Sequence, residues 1–258
     1  MKHFLLATIL MFFYLHPVQA QEKPVELLVL YDNHQFDEHT TADWGFSVLV
    51  VHSNDTILFD TGTRKDVLFA NMKTMNIDPK TIKTLVISHH HGDHTGCIFP
   101  LLEKNPDMQV FLPSSLKGDF QDMVENYGAQ TNIERNLYQV TENIYLSGQM
   151  GFQIPEQCLI IQSEKGLIVL SACSHPGIDR MVREIAEAFE QNIFMVMGGF
   201  HLEDFYDEEV IDIIKTFRKY GVQKVVPGHC TGNRAKELLR EVYNNDFIES
   251  GTGMSLLF

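Results

Sequence analysis

Only four cysteines, Cys97, Cys158, Cys173 and Cys230, stand in 258 residues, and no two of them form a CxxC pair. That excludes a disulfide-built scaffold, and a chain this long buries enough surface to need none. Free cysteines are expected, although Cys97, Cys173 and Cys230 each lie within three residues of a histidine. Basic residues are also scarce. Lys+Arg number 20 against 34 Asp+Glu, a formal charge of −14. A protein that holds nucleic acid on a broad basic surface is thereby excluded; a small metal-charged pocket is not. Low-complexity linkers, long charge runs and short-period repeats are missing. The chain therefore reads as one domain of ordinary globular composition, 44% hydrophobic and 21% charged.

Long apolar runs are missing as well, except at the start. Residues 1–20 read MKHFLLATILMFFYLHPVQA. Lys2 gives a positive n-region, Phe4 to Leu15 an apolar h-region, and Val18 and Ala20 the small residues before a cleavage point at Gln21. The run falls short of the roughly 20 residues that cross a bilayer. A cleaved signal peptide over 1–20 is expected, with a mature domain over 21–258 that is periplasmic or secreted and carries no membrane span.

Short Val/Ile/Leu-rich runs alternate with amphipathic stretches. Strands are predicted at Val25–Leu30, Phe46–His52, Thr56–Phe59, Thr84–Ser88, Met108–Phe111, Asn143–Leu146, Cys158–Gln162, Leu167–Ala172, Ile193–Met197 and Val222–Val226. Helices are predicted at Lys65–Met75, Asp179–Glu190, Glu208–Lys219 and Arg234–Tyr243. The first half is strand-rich, and the second alternates strand and helix. Two sheets with helices outside them fit this order.

What the chain has in excess is histidine, 12 in all. The predicted strand TLVIS runs into His89-His90-His91-Gly92-Asp93-His94-Thr95-Gly96, an H-x-H-x-D-H pattern. His89 and His91 can converge on one ion while Asp93 and His94 turn to a second. Imidazole and carboxylate together suit Zn²⁺ first, with Fe or Mn²⁺ as alternatives. A solvated His-rich tract would need neither the interposed Asp nor the apolar strand in front. Three further strands end in histidine beside Gly or Pro: His175, His201 and His229. His229 and His175 are expected as metal ligands. His201 is expected to border the ions as a substrate contact or proton donor, aided by Glu203 and Asp204, with ligation as the alternative. Asp60, closing a strand in Asp60-Thr61-Gly62, could cap the next helix or orient the metal-binding loop by hydrogen bonds; the second is preferred. His34, His39 and His52 lack such settings.

ILFDTG at 57–62, SHHHGDHTG at 88–96 and the later histidine-bearing strand ends resemble the metallo-β-lactamase superfamily. ACSHPGI at 172–178, MGGFHL at 197–202 and PGHCTG at 227–232 resemble its 7,8-dihydropterin-6-yl-methyl-4-(β-D-ribofuranosyl)aminobenzene 5′-phosphate synthase-like subgroup. The resemblance implies an α+β fold, a single-domain αββα sandwich, with a two-metal site at one edge of its sheets. It implies His89 and His91 on one ion, and Asp93, His94 and His229 on the other. Many members carry a bridging Asp where this chain has Cys173-Ser174-His175, so His175 is either a terminal ligand or stands in that position. The expected activity is hydrolysis of a small phosphorylated molecule, a phosphate ester or phosphodiester before a lactone or amide, by a hydroxide generated at the two ions. A synthase-like transferase on the same metals, or a non-catalytic binding protein, are the alternatives. Catalytic roles fall to Asp93, His201 and Asp60.

Overall fold

The computed structural model describes residues 24–258; the expected signal peptide lies outside the described residues. In chain order the elements are β1 (Val25–Tyr31), β2 (Ser47–His52), β3 (Asp55–Phe59), α1 (Lys65–Thr74), β4 (Thr84–Val86), α2 (Gly92–Thr95), α3 (Ile98–Leu102), β5 (Gln109–Phe111), α4 (Asp119–Asn126), β6 (Gln130–Asn132), β7 (Tyr138–Thr141), β8 (Ile144–Leu146), β9 (Leu159–Ser163), β10 (Gly166–Ser171), α5 (Ile178–Phe189), β11 (Ile193–Gly199), α6 (Asp207–Lys219), β12 (Lys224–Gly228), α7 (Asn233–Tyr243) and β13 (Ser255–Leu257). No helix among the described residues is long and apolar enough to cross a membrane.

The strands form two sheets, ordered β13-β1-β2-β3-β4-β5-β6 and β12-β11-β10-β9-β8-β7. Their inner faces close on each other. Val29, Val48, Val50, Ile57 and Phe59 of the first meet Leu159, Ile161, Ile168, Leu170, Met195 and Met197 of the second in one buried cluster. Strands with apolar residues on both faces must be covered twice. The outer face of the first sheet buries Leu30, Leu49, Leu58 and Leu85 under Leu68 and Met72 of α1, Leu101 of α3 and Val124 of α4. On the second sheet Val169, Val196 and Val225 pack under α5, α6 and α7. The helical stripes that sequence periodicity marks, Met181, Val182, Ile185, Ala186 and Phe189 on α5 and Val210, Ile213, Ile214 and Phe217 on α6, face inward, Phe189 only partly buried at the cluster's edge. The result is the αββα sandwich.

Within each sheet one stretch is parallel: β3 to β6 in the first, β10 to β12 in the second. Parallel strands end at one edge, where open α/β sheets place their ligands. Asp60, the histidine loop, His175, His201 and His229 all follow the C-terminal ends of such strands.

Some elements differ from the sequence reading. The strand expected over Thr84–Ser88 is hydrogen-bonded as a strand only to Val86, because the Ser88 amide turns to the Asp60 carboxylate. β12 runs on through Pro227 and Gly228, where the sequence reading stopped. It is an edge strand, so proline's missing N–H costs no ladder bond there. α2, α3, α4, β6, β7 and β13 were not anticipated; each is eight residues or shorter. All four cysteines are free and buried.

Candidate metal centre

Two groups of donors meet across the sheet edge. His89, His91 and His175 form the first; Asp93, His94 and His229 form the second. In each group the ligand atoms lie within 4.8 Å of one another. Donors held 2.0–2.3 Å from a tetrahedral ion must stand about 3.3–3.8 Å apart. His89 Nε2 and His91 Nδ1 are 3.1 Å apart. Asp93 Oδ2 is 3.5 Å from His94 Nε2 and 3.4 Å from His229 Nε2. These are close to the edges of coordination tetrahedra. One further nitrogen, His175 Nε2, is buried with no hydrogen-bond partner, and buried His229 Nε2 has no partner closer than the Asp93 carboxylate. Buried nitrogens without partners are costly unless a ligand completes them. The residues therefore fit divalent metal ions.

The neighbours fix which nitrogen of the His89, His94 and His229 rings is free. Asp60 is fully buried. It accepts from the Ser88 amide at 2.8 Å, from Ser88 Oγ at 2.7 Å and from His94 Nδ1 at 2.8 Å. With its proton given to Asp60, Ser88 Oγ accepts from His89 Nδ1 at 2.8 Å. One carboxylate thus holds Nδ1 protonated on a ring of each group and leaves both Nε2 atoms facing the site. The N-cap position of α1 is Arg64, four residues on, and no side chain caps that helix, so Asp60 has no capping role. His229 Nδ1 meets Asn33 Oδ1 at 3.0 Å, while the Asn33 amide group donates to the His229 carbonyl at 3.1 Å. The indole N–H of Trp44 donates to Asp93 Oδ2 at 2.8 Å.

Electrostatics follow from this packing. Burial pushes His89 well below the usual histidine range, and takes His175 down to about 4. Burial would lower His94 too, but the Asp60 and Asp93 carboxylates outweigh it and hold that ring protonated up to about 10. Burial acts to raise Asp93, yet the adjoining His229 and His94 rings keep it far below the carboxylate range.

His175 stands with His89 and His91, its ring 4.8 Å from each. The position beside the second group is taken instead by Cys173, whose Sγ lies 3.2 Å from His94 Nε2. His201 is not in either group. Its ring stands 4.6 Å from that of His175, with its pKa raised first by a hydrogen bond to Cys230 and only lastly by Asp204. His34 lines a cavity of about 250 Å³ with Asn33, Trp44, Glu203, His229, Cys230 and Asn233. His52 is buried in β2 and His39 is exposed, both away from these donors.

Four residues at the strand ends hold positive φ without being glycine: Asp60, Ser174, His201 and His229, between +41° and +64°. Such strain gathers where a side chain must be aimed. Glu156, which sequence reasoning missed, supports one of these turns. Its buried carboxylate accepts from the amides of Ala172, Cys173, Ser174 and His175 at 2.9–3.1 Å. Asp32, also missed, accepts from the His229 amide and from Ser250 Oγ. Neither acid sits in a motif that sequence spacing marks.

The metallo-β-lactamase superfamily model matches residues 41–111. A 7,8-dihydropterin-6-methyl-4-(β-D-ribofuranosyl)-aminobenzene-5′-phosphate synthase of Methanocaldococcus jannaschii is 31% identical to the chain, covering 83% of it and 90% of the relative. The chain belongs to the metallo-β-lactamase superfamily. Tm1679, a metal-dependent hydrolase of the β-lactamase superfamily, superposes with a TM-score of 0.78 at 31% identity, covering 90% of this chain and 98% of its own. A diphosphatase of the PhnP family shares the fold at 12% identity, with a TM-score of 0.61 over 92% of this chain and 98% of its own. The superfamily consists largely of enzymes, and in this member the His/Asp groups above are the residues that could hold its metals.

Proposed function

We propose that this chain is an exported, two-ion hydrolase that cleaves a phosphate ester or phosphodiester. The observation that carries the reading is the pairing of two donor triads, His89/His91/His175 and Asp93/His94/His229, the ligand atoms of each within 4.8 Å of one another and His175 Nε2 buried without a partner. Two divalent ions, Zn²⁺ by donor type, would supply a readily ionised water and an electrophile for the substrate's oxygens. The chain's own residues hold the arrangement. Asp60 orients His89 and His94 through one carboxylate, and Asn33 orients His229. Trp44 keeps Asp93 Oδ2 aimed at the site and offers an exposed aromatic wall beside the cavity. Glu203 lines the cavity beside His229. Charge complementarity to a phosphoryl group therefore depends on the ions. The phosphorylated class draws support from the archaeal relative, whose name is that of a 5′-phosphate synthase. That same name favours a second reading, a transferase working on the same site.

Assay of the Zn²⁺-loaded protein on p-nitrophenyl phosphate and on bis-p-nitrophenyl phosphate tests the reading. Turnover that disappears in Asp93→Ala is expected. Equal release by wild type and variant, or none with either probe, overturns it. Export rests on Lys2, the apolar run to Leu15 and Val18-x-Ala20. Mature protein from the producing cell should begin at Gln21 outside the cytoplasm; intact chain retained inside refutes export.

A further inference from the structure

A third set of donors lies beside the two triads; none of its three residues is counted in either, although Cys173 also lies within 4.8 Å of the His89 and His94 nitrogens. Cys173 Sγ, a ring nitrogen of His201 and Cys230 Sγ all lie within 4.8 Å of one another. They follow the ends of three adjacent parallel strands, β10, β11 and β12, so the sheet itself holds them together. Both thiols are buried and unoxidised. Beyond its hydrogen bonds with the His201 ring and the Cys173 thiol, Cys230 Sγ meets the Cys173 carbonyl at 3.7 Å, a weak contact. The local backbone is committed to this gathering. His201 is held at φ +53°, and a side chain at Gly199 would overlap Cys230 Sγ. Two buried thiols with an imidazole on their open side make a Cys₂His set with one position left for an outside ligand. Thiolates select soft or borderline ions such as Zn²⁺, Cd²⁺ or Co²⁺ over Mg²⁺ or Mn²⁺.

We propose that Cys173, His201 and Cys230 bind a third, thiophilic divalent ion next to the hydrolytic pair. Binding displaces the two thiol protons to solvent. The Cys173 thiolate, 3.2 Å from His94 Nε2, then lies between this ion and the second triad. His201 so engaged is a ligand, not the proton donor expected from sequence. The proposal takes the two-ion reading as its background but uses none of those six ligands.

Anaerobic titration of the reduced, metal-free full chain with Co²⁺ tests it. Visible d–d bands report bound Co²⁺, and a near-ultraviolet sulfur-to-cobalt band reports thiolate ligation. Wild type should take up three equivalents, with the sulfur band growing alongside one of them. Cys230→Ser should stop at two equivalents and lose about half the sulfur band or more. His201→Ala changes an exposed side chain, so the fold should persist, and it too should stop at two. Saturation of wild type at two equivalents overturns the third site, as does uptake of three by His201→Ala. Absence of all d–d bands in wild type overturns the two-ion reading along with it, which separates the two failures.

Discussion

At the scale of single residues, Asp60 touches no open ligand atom yet sets the tautomer of one ring in each triad. Asparagine would match its shape but, accepting on one oxygen only, could satisfy at most two of the three hydrogen bonds that Asp60 accepts. Asp60→Asn should therefore keep the fold and lower metal affinity by roughly 10–100-fold, measured by competition with a chelator. Unchanged affinity would show that the orientation is imposed by packing alone. Asp93 differs in kind, since it supplies a ligand atom. Asp93→Ala should lose one bound ion and at least about 10³-fold in turnover, judged by metal content and steady-state rate. The chain has one tryptophan, and its indole N–H rests on Asp93 Oδ2. Ion binding must reset that contact. Wild-type emission should change on adding Zn²⁺, and the change should vanish in Asp93→Ala; a signal that persists in the variant would place the ion elsewhere.

At the scale of elements, the site depends on how closely parallel strands approach at their ends. Gly198 on β11 sits at φ +120° opposite Ser171 of β10, and a Cβ there would overlap the Ser171 carbonyl oxygen. Gly198→Ala should destabilise the protein by about 3 kcal/mol or more and disturb His201 and Ser174 with it, visible in a denaturant titration. A loss under about 1 kcal/mol would mean that β11 shifts freely. This strand also marks how far the sequence could be read. Its apolar run, the H-x-H-x-D-H loop and the helical stripes of α5 and α6 are strong local signals, and they placed both sheets and the outer helices. The supports were not legible. Glu156 and Asp32 act through backbone amides 16–19 and 197 residues away, where spacing carries no signal. Cys173 was visible beside His175, but which of the two faces the second triad depends on the turn at Ser174, held at φ +64°. α4 and the short strands β6 and β7 are too brief to show a period.

At the scale of the whole molecule, the two triads make stability depend on pH in opposite senses. Burial holds folded His89 and His175 neutral, His175 with a value of about 4 against about 6.5 for an unfolded histidine. The unfolded chain therefore binds more protons as pH falls from about 6.5 towards 4, and metal-free protein loses stability across that window. His94 works the other way. Held up to about 10 beside Asp60, it stabilises the fold fully below about 6.5 and loses that contribution as pH rises towards 10. Metal-free protein should accordingly be most stable near pH 6.5, falling on both sides. Each proton of difference is worth about 1.4 kcal/mol per pH unit, or about 3 °C of Tm for a chain of this size. Ion binding requires a free His94 Nε2, so loading near pH 8 should release a proton from that ring while Nδ1 keeps its bond to Asp60. The alkaline decline should then disappear from the loaded protein, and the midpoint should rise by mass action. Thermal scans of metal-free and Zn²⁺-loaded protein from pH 5 to pH 9.5, with proton release followed in weak buffer, measure all three effects. A metal-free Tm that climbs steadily through pH 9 would show that the Asp60–His94 pair does not set the alkaline side of the profile.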